Sequence, residues 1–213
     1  MSEYFFNKKL ILPIVIGFFL TYIIIEEYKS TQLDFFFFEK EIYKKPALEA
    51  LSYYPELSNA RIRFIDGGKS KLAHQAIPKT TSLIRSKKNR IFFIKIASEH
   101  SNELDSTLFI NLDYESKVGV IGHELAHVLD YLDDSTLDLI VKGYNYQYDK
   151  LYRSKYELET NQIAIDRGLG EELLSWTNEV HEYLAKDKRG NLYHTPDELK
   201  KILKSQNFNK ENN

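Results

Sequence analysis

The segment Val118–Asp130 restricts the possible folds of this chain more than any other segment. It reads V-G-V-I-G-H-E-L-A-H-V-L-D. It contains an H-E-x-x-H pattern made by His123, Glu124 and His127. Residues four apart lie one above the other on a helix, so two such imidazoles can both reach one zinc ion at about 2.0–2.1 Å. The intervening Glu then lies beside the metal, where it can move the proton of a water molecule. This chemistry requires a helix.

The surrounding residues predict that helix. Its apolar side chains fall within a stripe about 120° wide, and the two histidines lie on the opposite side. The stripe consists of Val118, Ile121, Leu125, Val128, Leu129 and Leu132. Gly119, Gly122 and Ala126 keep the remaining faces narrow, so other backbone can come close. Asp113 is expected to cap the start of the helix near Tyr114.

Composition limits the classes of partner and of metal site. The net charge is −2, with both signs mixed along the chain, and this gives no electrostatic footprint for nucleic acid. The chain has no cysteine, which excludes disulfides and cysteine-ligated zinc. A metal must therefore be held by histidine and carboxylate groups. A length of 213 residues allows one domain with a core and short appendages.

An uncharged apolar run extends from Leu10 to Ile25. A cleaved signal peptide would need small residues after the run, and a surface-packed core helix would not be apolar on every side. An uncleaved membrane anchor over residues 1–28 therefore fits best. Two lysines precede the run and Glu26 and Glu27 follow it, so the N-terminus is predicted to be cytoplasmic. The remaining chain is then extracytoplasmic, as in a periplasm.

Residues 29–55 are predicted to be an amphipathic juxtamembrane linker. A helix is expected over Asp34–Tyr54, and Pro46 either interrupts it or begins its second part. The four phenylalanines Phe35–Phe38 have two interpretations. They lie in the membrane interface, or they pack against the domain that follows.

The middle of the chain carries strand patterns. Arg61–Ile65 alternates before a turn signal at residues 66–68, and Leu72–Ile84 is expected to supply a further strand. The strongest strand pattern is Arg90–Ala97, which is rich in β-branched and aromatic residues. Such a strand either pairs with an extended substrate at a sheet edge or lies inside the sheet, and the pattern does not distinguish the two.

A catalytic zinc ion needs a third protein ligand and an open position for water. Asp133 is one candidate, but without a glycine at position 130 the sharp turn back to the metal is missing. Glu157 is the stronger candidate, with Glu159 in reserve. Glu157, Asn161, Ala164 and Gly168 recur on one expected helical face, which is small enough to approach the narrow side of the H-E-x-x-H helix.

These two motifs resemble those of the gluzincin peptidases, in particular the Ste-type CaaX-protease and heat-shock membrane-protease branch and the single-domain minigluzincins. By position, Glu157 matches the ligand Glu of the second motif, Glu159 its second Glu and Thr160 its Ala, whereas Asn161 replaces the usual Asp. The resemblance implies that Asn161 orients a ligating histidine by accepting its other ring N–H, without adding negative charge.

Several further residues are candidates for supporting roles. Tyr144, Tyr146, Tyr148 and Arg167 are equally possible donors to a developing oxyanion. Residues 171–186 are expected to form a helix. Thr195-Pro196-Asp197-Glu198 predicts a capping box and a short helix to about residue 204, followed by a disordered tail at residues 207–213.

The prediction is thus an α+β, zincin-like domain over residues 56–206, with a small mixed sheet and a second ligand helix. One Zn²⁺ is held by His123, His127 and Glu157, and Glu124 is the general base for hydrolysis of a peptide or protein substrate. The alternative is a catalytically inactive zincin-like domain that binds a peptide or partner at the membrane. No nucleic acid is expected, and the N-terminal segment contacts the bilayer. The sequence makes no prediction of the oligomeric state.

Overall fold

The computed structural model describes residues 35–100, 107–186 and 192–211. The strands in these residues are β1 Phe36–Phe38, β2 Arg61–Asp66, β3 Lys69–Ser70, β4 His74–Pro78, β5 Ile91–Ile96 and β6 Glu99–His100. The α-helices are α1 Glu41–Ser52, α2 Tyr114–Leu132, α3 Thr136–Tyr148, α4 Lys150–Asp166, α5 Gly170–Lys186 and α6 Pro196–Glu211. Four strands form a sheet in the order β1-β2-β5-β4, in which only β4 runs antiparallel to its neighbour. β3 and β6 form a separate parallel pair. This confirms a mixed α+β architecture with a small mixed sheet.

The strand predicted at Arg90–Ala97 is confirmed as β5, but it lies inside the sheet and not at an edge. β5 pairs with β2 on one side and with β4 on the other. Ile91, Phe92, Ile94 and Ile96 are all buried, which explains why the strand is apolar almost throughout. The strand predicted within Leu72–Ile84 is β4, and β4 is the edge strand.

The outer side of β4 offers backbone groups at the sheet edge. Backbone hydrogen bonds join Ala73 and Lys79 to β5, at 2.8 and 2.7 Å. Because bonding directions alternate along an antiparallel strand, the backbone of Ala76 and Pro78 faces away from β5. Pro78 has no N–H to contribute, and this position on an edge strand is one where that is tolerated.

Helix α2 is buried on all sides over Val118–Val128. As predicted, Asp113 caps it by accepting a hydrogen bond from the Ser116 backbone N–H at 2.8 Å. The sequence predicted that the helix of Glu157 would approach the narrow side of α2, and the structure corrects this. A Cβ added at Gly119 would lie 2.1 Å from the carbonyl oxygen of Glu172, so α5, not the ligand helix α4, makes the closest backbone approach.

In the described residues 35–55, where a helical linker was predicted, the chain forms a short strand and a helix. Phe36–Phe38 is a strand that pairs with β2, and its alternation directs Phe36 and Phe38 toward the core and leaves Phe35 and Phe37 exposed. The helix begins only at Glu41 and continues through the buried Pro46. Residues from Phe35 onward belong to the same compact unit as α2.

The C-terminal helix is longer than predicted. The capping box at Thr195 and Glu198 is confirmed, with backbone-to-side-chain bonds of 2.8 and 3.3 Å. From that start α6 continues to Glu211, because residues 205–211 contain no glycine or proline to end it. Residues 207–211 of the predicted tail are therefore helical in the structure.

The predicted anchor at residues 1–28 lies outside the described residues. Among the helices of the described ranges, none combines the length and apolarity that crossing a bilayer requires.

Candidate metal centre

Two helices bring His123, His127 and Glu157 together. The histidines lie one turn apart on α2, and Glu157 lies in the first half of α4. All three side chains are buried, and one ligating atom from each lies within 4.8 Å of the other two. Oε2 of Glu157 is 3.0 Å from Nε2 of His123 and 3.5 Å from Nε2 of His127. The three ligands predicted from the sequence thus form one cluster.

The outer nitrogens of both histidines are held as hydrogen-bond donors. Nδ1 of His123 lies 2.8 Å from Oδ1 of Asn161, and an amide oxygen only accepts. Nδ1 of His127 lies 3.2 Å from the hydroxyl of Thr160, which already donates to the Tyr156 carbonyl at 2.8 Å. Each neutral imidazole therefore carries its proton on Nδ1 and directs an Nε2 lone pair at Glu157.

Two lone pairs and a carboxylate oxygen that face one another need positive charge between them. Burial lowers the pKa of His123, but the hydrogen bond and the charge of Glu157 outweigh burial and raise that pKa above 6.5. Burial conversely raises the pKa of Glu157, yet the charge of His127 and the bonds to both histidines take it far below its usual range. A proton on a histidine satisfies the cluster, and a divalent cation satisfies it equally.

The two distances from Glu157 are compatible with a small divalent ion. A tetrahedral ion with bonds of about 2.0–2.1 Å keeps its ligands roughly 3.3 Å apart. The two distances from Glu157, 3.0 and 3.5 Å, bracket that value. Two neutral histidines and one carboxylate also match the nitrogen and oxygen donors that catalytic zinc accepts. The group could hold a metal ion, and its donor set does not by itself identify which one.

Tyr146 supports the ligand set from α3. Its hydroxyl donates to Oε1 of Glu157, which leaves Oε2 for the histidine side of the cluster. Burial, followed by the charge of Glu157, raises the pKa of Tyr146, so the phenol remains a neutral donor. Among the four predicted oxyanion donors, Tyr146 is therefore the one that the fold brings to the cluster.

Glu124 lies on α2 between the two histidines, with its side chain buried. Burial raises the pKa of its carboxyl group above the usual value, against the opposing charges of His123 and His127. The carboxylate accepts a hydrogen bond from the backbone of Ala76 in β4. Its Oε2 atom is buried and has no hydrogen-bond partner among the described residues. A buried acceptor without a partner is costly unless a ligand or water supplies the donor.

The other predicted candidates lie elsewhere. Asp133 is the exposed C-cap of α2, and its carbonyl accepts a hydrogen bond from Lys87. The reserve ligand Glu159 is exposed and pairs with Lys155 at 3.5 Å. Arg167 pairs with Glu56 at 2.6 Å. Tyr144 and Tyr148 point to solvent on the far side of α3.

A groove of about 780 Å³ opens over the cluster. One wall is β4, and the opposite wall comes from α3 and α4, with Lys142 and Tyr146 among its side chains. His123, Glu124 and His127 lie at the floor. The edge strand and the cluster therefore border one cleft that can accept an extended chain.

Sequence reasoning missed two residues of the site. Thr160 stands where the resembled motif has Ala, and its hydroxyl is what holds His127. His194 lies 3.3 Å from the amide nitrogen of Asn161 through Nδ1, so the amide is held with its oxygen toward His123. Thr160 had a detectable signal, since it is three residues after Glu157 on the same helix. His194 had none, because it comes from a distant segment.

Comparison of the chain with protein-family models, with curated proteins and with solved structures finds no match.

Proposed function

We propose that this protein is a membrane-anchored, zinc-dependent metallopeptidase with a zincin-like catalytic domain. His123, His127 and Glu157 would hold the ion. The observation that carries the proposal is the Oε2 atom of Glu124, a buried acceptor without a described partner beside a cluster that could hold a metal ion. An ion-binding site alone would not need such a carboxylate.

Glu124 would act as the general base and then as the general acid. When bound, zinc supplies Lewis acidity, which polarises a peptide carbonyl and lowers the pKa of water. Oε2 of Glu124 is the atom that would accept the proton from the attacking water. Its raised pKa makes the protonated form accessible, so the same carboxyl group can deliver that proton to the leaving amine.

The substrate would lie along β4 in an extended conformation. The backbone carbonyls of Ala76 and Pro78 face away from β5 at the groove, where a substrate N–H can bond to them as to a further strand. Peptide backbone would thereby be held over Glu124, because Ala76 also contacts that carboxylate. Peptides and extended protein segments are the substrate class that this groove supports.

The tether is part of the proposal. The apolar run Leu10–Ile25, with lysines before it and Glu26 and Glu27 after it, supports a single-pass anchor with a cytoplasmic N-terminus. The catalytic domain would then lie on the extracytoplasmic side.

The decisive experiment compares the purified full chain with its Glu124→Gln variant, in metal content and in cleavage of a mixed peptide library. Gln has nearly the same shape but cannot take the proton, so the variant should keep its zinc while cleavage falls by about 10²–10⁴. A chelator should stop the wild-type cleavage. A wild-type chain that cuts nothing would favour the inactive peptide-binding alternative, and a chain without zinc would refute the metallopeptidase.

A further inference from the structure

Helix α3 presents an apolar face to solvent. Among the described residues its fully buried member is Leu139, while five large apolar or aromatic side chains are 54% to 72% exposed. We call these side chains the outer face of α3, and they are Leu137, Ile140, Val141, Tyr144 and Tyr148. A solvated helix normally turns polar residues outward, so this face calls for an explanation.

The outer face forms one continuous stripe. At 100° per residue its five members fall within about 100° of arc, and no charged residue lies between them. Of the groove-lining members of α3, Leu139, Lys142 and Tyr146 lie on the opposite side of the helix, and Gly143 and Gln147 lie between them and the stripe. Helix α3 therefore separates the groove from the apolar stripe.

The nearby cations do not offer this face an ionic partner. Lys142 bonds to Asp130 and Asp134, the latter at 2.7 Å. Arg153 donates to the backbone carbonyls of Tyr146 and Gln147. The outer face itself therefore offers a partner apolar and aromatic contact.

The apolar run at Leu10–Ile25 argues for lipid as that partner. Only residues 26–34 separate the run from the described domain, and nine residues extend to roughly 30 Å at most. An anchor at the run would keep the domain within that distance of a bilayer at all times. Tyr144 and Tyr148, whose ring centroids are 4.8 Å apart, have the amphipathic rings that favour membrane interfaces.

We propose that the outer face of α3 docks on the lipid surface to which the N-terminal segment tethers the domain. This inference rests on the tether in the proposed function, but not on catalysis. With α3 on the bilayer, the groove lies about one helix diameter, roughly 10 Å, above the lipid. The site then favours extended segments close to the membrane surface.

The absence of cysteine in the native sequence permits single-cysteine labelling of the full chain. Val141→Cys and Tyr148→Cys place a fluorophore on the outer face, and Glu171→Cys and Lys200→Cys place it on exposed sites of α5 and α6. The labelled chains are reconstituted into phosphatidylcholine vesicles that contain nitroxide-labelled lipid. We expect the lipid to quench the two α3 probes several-fold more than the controls, and aqueous iodide to quench them several-fold less.

Each other outcome overturns the docking. If iodide quenches the α3 probes as strongly as it quenches the controls, the outer face of α3 lies in water. Protection from both quenchers would mean that protein covers it, either a second copy or another part of the chain. Vesicle flotation of the same samples distinguishes the two proposals: a chain that does not float lacks the tether, whereas a floating chain with unquenched α3 probes lacks only the docking.

A charged variant provides the matched perturbation. Val141→Glu in the Tyr148→Cys background should abolish lipid quenching at position 148 while the chain still floats, and Lys200→Glu should change neither. Because Val141 is more than half exposed, the domain should keep its circular dichroism spectrum. Persistent quenching in the Val141→Glu variant would refute insertion of this face.

Discussion

Replacing Gly119 with Ala tests whether α2 and α5 really meet backbone to backbone. A Cβ at this position would lie 2.1 Å from the carbonyl oxygen of Glu172 and 2.8 Å from the backbone nitrogen of Leu173. Neither atom can rotate away as a side-chain end can, so the helices must separate. Position 119 is one turn before His123, and the displacement therefore reaches the metal ligands.

The magnitude follows from two opposing effects. Overpacking a close-packed interior costs typically 1–3 kcal/mol, and a clash with backbone puts Gly119→Ala at about 3 kcal/mol. The higher helix propensity of Ala returns about 1 kcal/mol. The net loss of about 2 kcal/mol in unfolding free energy corresponds to a melting temperature about 4–8 °C lower for a domain of this size.

Gly143→Ala is the matched control, because a Cβ there meets no described atom within 4 Å and its φ is not positive. It should gain up to about 1 kcal/mol from helix propensity, raising the melting temperature by about 2–4 °C. Gly122→Ala should fall between them, since its clash is with the movable end of the Leu169 side chain, at 2.5 Å. Thermal unfolding by circular dichroism measures all three. If Gly119→Ala is as stable as Gly143→Ala, the described contact between α2 and α5 is wrong.

Three further results are expected at the metal centre. Glu157→Ala should weaken zinc binding at least about tenfold in a chelator competition assay, whereas Asp133→Ala should leave it unchanged; the reverse order would refute the ligand assignment. Asn161→Asp should tighten zinc binding about tenfold, because a carboxylate makes His123 a better donor, and an unchanged affinity would contradict the 2.8 Å contact. Because the pKa of His123 is raised above 6.5, zinc must displace a proton from this residue already at pH values above 6.5. Zinc affinity should therefore fall as the pH falls through that region, by about a decade per pH unit for one proton. An affinity that does not change with pH there would contradict the charged pair with Glu157.

Local patterns in the sequence were sufficient to predict several elements of this protein. The helix at Val118–Asp130, its Asp113 cap, the strand at Arg90–Ala97 and the capping box at Thr195 depend on spacings and turn chemistry within a few residues. The predicted ligand Glu157 was also accessible from the sequence, because a helical face that combines one acid with small residues is visible along the chain. The anchor at residues 1–28 stays a prediction.

Other features depend on which surfaces meet, and periodicity carries no information about partners. The apolar pattern of a strand indicates that it is buried but not which strands lie beside it. The sequence of β5 was therefore compatible with a position at the sheet edge, and only its pairing with β2 and β4 excludes that position. Phe36–Phe38 is a strand only because β2 lies beside it.

In the candidate metal centre, local spacing determined some of the residues and tertiary packing determined the others. His123, Glu124 and His127 are neighbours on one helix, so their spacing alone determined that they face one site. The contact of His194 with Asn161 and the selection of Tyr146 over Tyr144 required helices from distant segments to pack at one particular angle. Close contacts such as that of the Gly119 backbone with α5 form only when distant segments pack, so no local pattern along the chain contains them.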